Sequence, residues 1–220
     1  MIRLNQSLVD AIVTSLPEEV RAALMDSNGA LCLAGGYIRD FMLGEEPKDI
    51  DIFGTCEGEV MHAVEQFDWD QHYTKKTQAN SVAFSCWNGQ KKTVQFVTRS
   101  YYADHDALIR SFDFTICQVC VFYDGLPIRS WIGFCTEGYL HDFVERALVY
   151  TQPERDEDPA GSLLRVVRFL KRGFTISEEE LSKVLARMCA AIIPETELIL
   201  RDKIQGQFRR VGYGGKTRIM

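Results

Sequence analysis

The sequence predicts an α+β fold in which strands and flanking helices fill the first 150 residues and a small all-helical segment follows. Three observations lead there. Within residues 31–53 an apolar strand pattern, a glycine turn, a short helix pattern and a second strand pattern follow one another. Two later stretches switch to period-two alternation around hairpin turns. Past a polar stretch at residues 151–158, which contains Pro153, only helical spacing recurs. The expected division is residues 1–150 and residues 151–220.

Taken in order, Asn5 to Met25 has helical spacing (Leu8, Ile12, Val13, Leu16, then Val20, Ala23, Leu24). It is interrupted at Pro17 and stopped by Asn28-Gly29. The apolar run Leu31 to Ala34 breaks at Gly35-Gly36. Tyr37, Ile38, Phe41 and Met42 then trace a helix to Gly44, and a strand begins at Asp49. Glu57 to Phe67 reads as a helix. Ser81 to Trp87, Asn88-Gly89 and Lys91 to Val97 form a hairpin pattern at a sheet edge. A short helix over Ala103 to Arg110 precedes a second hairpin, Val119 to Tyr123 and Leu126 to Trp131 about Asp124-Gly125, and a helix over Gly138 to Ala147. Ser177 is placed to cap a helix that opens on Glu178-Glu179-Glu180 and runs to about Ile193. A last helical pattern covers residues 195–208, and a basic, glycine-rich tail carries Arg209, Arg210, Lys216 and Arg218.

Composition narrows the function. A chain of 220 residues with 46% hydrophobic and 25% charged residues has ample material for a core. Its net charge of −6 argues against a surface coated with positive charge for gripping long nucleic acid, so any basic surface is local. Seven cysteines, an odd and scattered set, fit a reducing compartment, and no disulfide-linked partner is expected. Cys117-x-x-Cys120 lies in a strand-like apolar run, where positions three apart face opposite sides. It reads as two small buried hydrophobes rather than a zinc pair. No apolar run reaches the ~20 residues a bilayer needs, so the expected location is the cytoplasm, away from membranes.

Chemistry concentrates at Gly35-Gly36 and Asp49-Ile50-Asp51. Glycines opening a helix let backbone approach a ligand closely and leave N–H groups to attract phosphate, although Gly-Gly also serves ordinary tight turns. In a strand Asp49 and Asp51 share one face while Ile50 and Ile52 take the other. Paired carboxylates repel unless a cation lies between them, and magnesium with oxygen ligands is the usual partner. The same alternation also produces plain surface strands.

Together, Gly35, Gly36, Ile38, Arg39, Asp40, Leu43, Gly44, Lys48, Asp49 and Asp51 resemble the signature of the class II tRNA nucleotidyltransferases (CCA-adding enzymes) and the related bacterial poly(A) polymerases. These belong to the DNA polymerase β-like nucleotidyltransferase superfamily. Two further stretches resemble the same family: Ser111-Phe112-Asp113-Phe114-Thr115-Ile116-Cys117, and Glu157-Asp158-Pro159 through Arg165, Arg168 and Phe169 to Gly173-Phe174-Thr175-Ile176. The resemblance implies a nucleotidyltransferase head with a mixed β-sheet, then a helical neck, with the body and tail helices of those enzymes missing.

It implies Mg²⁺ or Mn²⁺ held by Asp49 and Asp51 in a two-metal mechanism. The bound nucleoside triphosphate would meet Gly35, Gly36, Arg39 and Lys48, with Asp113 either beside its sugar or, as a catalytic residue with Asp49 and Asp51, toward the metals in place of a missing acid, and Asp158, Arg165 and Arg168 toward its base and phosphates. The expected reaction moves a nucleoside monophosphate from an NTP to a hydroxyl, with an RNA or tRNA 3′ end as the expected acceptor. Two departures keep alternatives open. The strand ending in Thr98-Arg99, where the family carries a third metal-binding acid, offers Gln95 instead, and Gly161 stands where an Arg of the base template is expected. A degenerate protein that binds a nucleotide or RNA end without transfer is one alternative. A transferase acting on a protein or a small molecule is another.

Overall fold

A computed structural model describes residues 1–68, 73–86, 92–125, 129–153 and 159–190. The turn at Asn88-Gly89, Glu157 and Asp158, the helix expected over 195–208 and the basic tail lie outside the described residues. The chain forms two compact units, residues 1–145 and residues 146–220.

In the first unit eight strands form one mixed sheet: β1 (Ile2–Arg3), β2 (Leu31–Ala34), β3 (Asp49–Gly54), β4 (Tyr73–Thr77), β5 (Ser81–Cys86), β6 (Thr93–Val97), β7 (Val119–Asp124) and β8 (Ser130–Cys135). Their order is β1-β8-β7-β2-β3-β6-β5-β4. Neighbours are antiparallel except β3 and β6, which run parallel and need a crossover between them. That crossover contains helix α4 (Glu57–Asp68) and the strands β4 and β5.

Helices α1 (Gln6–Thr14) and α2 (Glu18–Asp26) flank Pro17, which cannot donate the N–H a continuous helix would need there. Asn5 caps α1 by accepting from the Ser7 N–H at 2.8 Å. Asn28 and Gly29 stop α2 with φ of 55° and 91°. One face of the sheet is sealed by a large apolar cluster in which Val9, Ile12, Val20 and Leu24 meet Leu31, Leu33, Ile50, Ile52, Val60, Val64, Phe84 and Phe96. Phe96 meets Phe67 and Phe84 edge to face there while Phe67 and Phe84 are tilted, with centroids 5.2 to 5.9 Å apart. The opposite face carries a smaller cluster: Cys32, Ala34, Phe53 and Cys120 under Leu108 and Ile109 of α5 (His105–Arg110).

In the second hairpin Asp124 pairs with Ser130, Arg129 turns at a φ of 46° and the described returning strand begins at Ser130, while the part of the expected strand at 126–128 lies outside the described residues. One detail differs from the sequence reading. Cys117 lies in a 3-10 turn (Thr115–Cys117), not in a strand; the ladder begins only at Val119. Cys117 and Cys120 are both buried, as small hydrophobes are. Helix α6 (Tyr139–Val144) is held to this turn by Thr115, whose hydroxyl donates to Asp142 at 2.6 Å.

In the second unit, helix α7 (Pro159–Leu170) ends at Gly173, whose φ of +81° lets the Phe174 N–H turn back to the Phe169 carbonyl. Ser177 caps helix α8 (Glu178–Ala190) by accepting from the Glu180 N–H at 3.2 Å. A carboxylate oxygen of Glu180 accepts from the Tyr150 N–H, and a parallel bridge joins Ala147 to Thr175.

Candidate active site

The four residues of β2 are all buried, so the strand is fixed along its length, and it delivers Gly35 to a corner. Gly35 donates its N–H to the Val119 carbonyl at 3.0 Å and then turns with φ 76° and ψ −121° into α3 (Gly36–Met42). An L side chain seldom adopts that conformation. A Cβ at Gly35 would lie 3.2 Å from the Phe112 ring, which is propped edge-to-face against Phe53. Gly35→Ala is therefore expected to destabilise the chain by about 2 kcal/mol, read as a lower urea midpoint with an unchanged slope. With only seven residues, α3 has little macrodipole, so this corner serves a ligand by close backbone approach rather than by a long helix field.

β3 runs back antiparallel beside this corner. Leu33 pairs with Ile52, so the next step of the ladder brings Ala34 opposite Asp51 and carries the glycine turn to the end of the strand that bears Asp49. Ile50 and Ile52 are buried in the large cluster, and that burial of about 2 kcal/mol each fixes the register. Asp49 and Asp51 consequently take the other face, Asp49 exposed and Asp51 half-buried. On β6, Thr93 lies beside Asp49 and Gln95 beside Asp51.

Electrostatics mark the pair. The Asp51 carboxyl is pushed up to about 7, first by burial and then by the charge of Asp49, while Arg39 pulls it down. Burial also raises Asp49, against the opposing pull of Lys48. Carboxyls that resist ionisation for want of solvent and because of each other are suited to a divalent cation, which relieves both costs. Two carboxylates with an amide oxygen alongside form a hard oxygen set of the kind magnesium and manganese take. Among the described residues, no three His, Cys, Asp or Glu side chains gather into a group that could hold a metal ion.

Arg39 is buried at 7% exposure, and its charge acts on the Asp51 carboxyl through space. Its guanidinium donates to Asp40 Oδ1 at 2.6 and 2.7 Å and to Cys117 Sγ at 3.1 Å, which ties α3 to the 3-10 turn. Asp113, 2% exposed, lies just before that turn. Lys48 is exposed at the start of β3. Arg165 and Arg168 lie on α7 of the second unit, half-buried and exposed respectively. Sequence reading missed the contact of Phe112 with the glycine corner and that of Cys117 with Arg39. Both join residues about 77 positions apart, and neither aromatic nor thiol carried a local signal beyond its place near Asp113.

Solved structures share this architecture. A CCA-adding enzyme in complex with ATP matches with a TM-score of 0.61 at 17% identity, over 95% of this chain and 51% of that one. The Thermotoga maritima CCA-adding enzyme complexed with tRNA gives 0.57 at 17% identity, over 86% and 46%. At that identity the likeness establishes the nucleotidyltransferase-like fold. A protein of Bacillus phage SPbetaL7, "Gabija anti-defense 2", is 22% identical over 194 residues, 88% of this chain and 45% of that protein. The chain thus spans about half the length of the relatives it matches. The resemblance to tRNA nucleotidyltransferases accordingly holds for the fold, while family membership lies elsewhere. The model described as "Gabija anti-defense 2 family protein" matches residues 4–126, more than half of the sequence, and the chain belongs to the Gabija anti-defense 2 family.

Proposed function

We propose that the chain transfers a nucleoside monophosphate from an NTP to a hydroxyl acceptor, and that this transfer serves to counter a Gabija defence. The observation that supports transfer most directly is the acid pair on one face of β3 beside the glycine corner that ends β2. The backbone at Gly35 and Gly36, without side chains, would let the triphosphate lie close. Lys48 and the buried charge of Arg39 would offset its negative charge. Asp49 and Asp51 would hold Mg²⁺ or Mn²⁺. When bound, such a cation stabilises charge on the phosphoryl oxygens and favours the ionised acceptor hydroxyl. The chain's own part is then to fix the phosphates against a rigid corner and to hold two ligands in register, so that catalysis comes mainly from positioning. Asp113, Asp158, Arg165 and Arg168 are proposed nucleotide contacts on the strength of the motif resemblance, and an RNA 3′ end remains the favoured acceptor.

The test is incubation of the purified chain with each α-labelled NTP, Mg²⁺ or Mn²⁺, and bulk RNA. Label is expected in RNA and is expected to disappear in Asp49→Ala. A second reading, nucleotide binding without transfer, is favoured by one observation: Gln95 occupies the position beside Asp51. Nucleotide binding with no incorporation under either metal selects it. Label found on protein or on a small molecule instead of RNA reassigns the acceptor.

A further inference from the structure

The acid pair has only neutral neighbours on the strands that flank it. Ala34 falls opposite Asp51 on β2, and Thr93 and Gln95 stand beside Asp49 and Asp51 on β6. One strand further out, Ala83 pairs with Gln95, and the Ser85 hydroxyl lies 3.2 Å from that of Thr93. Arg39, the cation felt at Asp51, is matched by Asp40 at 2.6 Å. The site therefore presents two negative charges from two side chains, together with an amide and hydroxyls.

We propose that this site takes a single divalent cation per chain, arriving with the nucleoside triphosphate, and that Gln95 sets this stoichiometry; the inference rests on the nucleotidyl-transfer reading above. Two carboxylates neutralise one dication. A second dication would sit roughly 3.5–4 Å from the first. Their repulsion is about four times that of two unit charges at that distance. A charged ligand on each strand offsets repulsion of that size. An amide can lend an oxygen but no charge, so the position beside Asp51 can complete the shell of one ion without holding another. The triphosphate's own oxygens supply the remaining ligands of the single ion. Gln95 is thereby a residue that tunes the site through the cation it declines to hold.

The experiment titrates Mn²⁺ into the full-length chain, following free Mn²⁺ by electron paramagnetic resonance. A nucleoside triphosphate with a methylene bridge between its α and β phosphorus atoms is present at saturation, so that no transfer occurs. The natural chain is expected to bind one Mn²⁺. Gln95→Asp and, independently, Gln95→Glu are expected to bind two, the second at least about tenfold more tightly than any second ion on the natural chain. Two Mn²⁺ on the natural chain overturn the proposal, as do Asp and Glu variants that are folded by circular dichroism and still bind one. A folded natural chain that binds no Mn²⁺ in a nucleotide-dependent manner overturns the transfer reading and this inference with it, an outcome distinct from a stoichiometry of two.

Discussion

Asp51→Asn is expected to cut labelled-nucleotide transfer by about a thousandfold or more while making the folded chain more stable at neutral pH. The loss follows from removing one of the two ligands that β3 holds in register. The gain follows from the same carboxylate's poor environment. In the folded chain the Asp51 carboxyl titrates at about 7, raised by burial and then by Asp49. In the unfolded chain it titrates near about 3.9. Between those values the folded state keeps a proton that the unfolded state has released, so stability falls as pH rises from about 4 to about 7 and the loss is complete above that. A shift of about three units corresponds to about 4 kcal/mol at full weight. Asp51 keeps some contact with solvent, so about 2 kcal/mol is the expected gain of the Asn variant at pH 8, fading to nothing near pH 4. Urea unfolding at a series of pH values reads it. A variant whose stability follows the natural chain at every pH would show that the pair is not under charge strain. Mg²⁺ with nucleotide should narrow the difference, because a cation relieves the strain that Asn removes.

The parts of this site that were legible in the sequence are those whose cause is local. Alternation along four residues places Asp49 and Asp51 together and Ile50 and Ile52 opposite, and the apolar residues that enforce the choice lie in the same strand. Pro17, Asn28-Gly29 and Ser177 punctuate helices through backbone chemistry that needs no tertiary partner. Motif resemblance pointed to Gln95 as the stand-in for an acid, but only the parallel ladder between β3 and β6 makes it the physical neighbour of Asp51. That pairing joins residues 44 apart, across a crossover whose length no local pattern fixes. The two-residue β1 is too short for any period to register, and it exists because the edge of β8 offers it a partner. Cys117, the last residue of the 3-10 turn Thr115–Cys117, reads as part of a strand because the run it opens is apolar. What bends the turn is a set of polar contacts, Thr115 to Asp142 and Cys117 to Arg39, with partners elsewhere in the chain.

Arg39→Ala is expected to destabilise the chain by about 3 kcal/mol, the second large effect, and to do so through the framework beneath the acids. The guanidinium is taken from water by burial, which lowers its affinity for a proton, yet Cys117 and Asp40 outweigh that and hold it charged. Removing it withdraws from Asp40 a partner that makes two contacts with one carboxylate oxygen, and it opens the seam between α3 and the 3-10 turn. Arg39→Lys keeps the charge, but a single ammonium cannot reproduce a fork that reaches Asp40 and Cys117 together, so it should restore less than half of the loss. Asp40→Ala alone should cost less than Arg39→Ala, and the double variant should cost less than the two losses added, a coupling of about 1–3 kcal/mol in a double-mutant cycle. Losing Arg39 also removes the cation that pulls the Asp51 carboxyl down, so the fall of stability with pH should move to higher pH in Arg39→Ala. A guanidinium whose main task was to receive phosphate would behave otherwise: its loss would weaken nucleotide binding and leave both the unfolding midpoint and its pH dependence where they were.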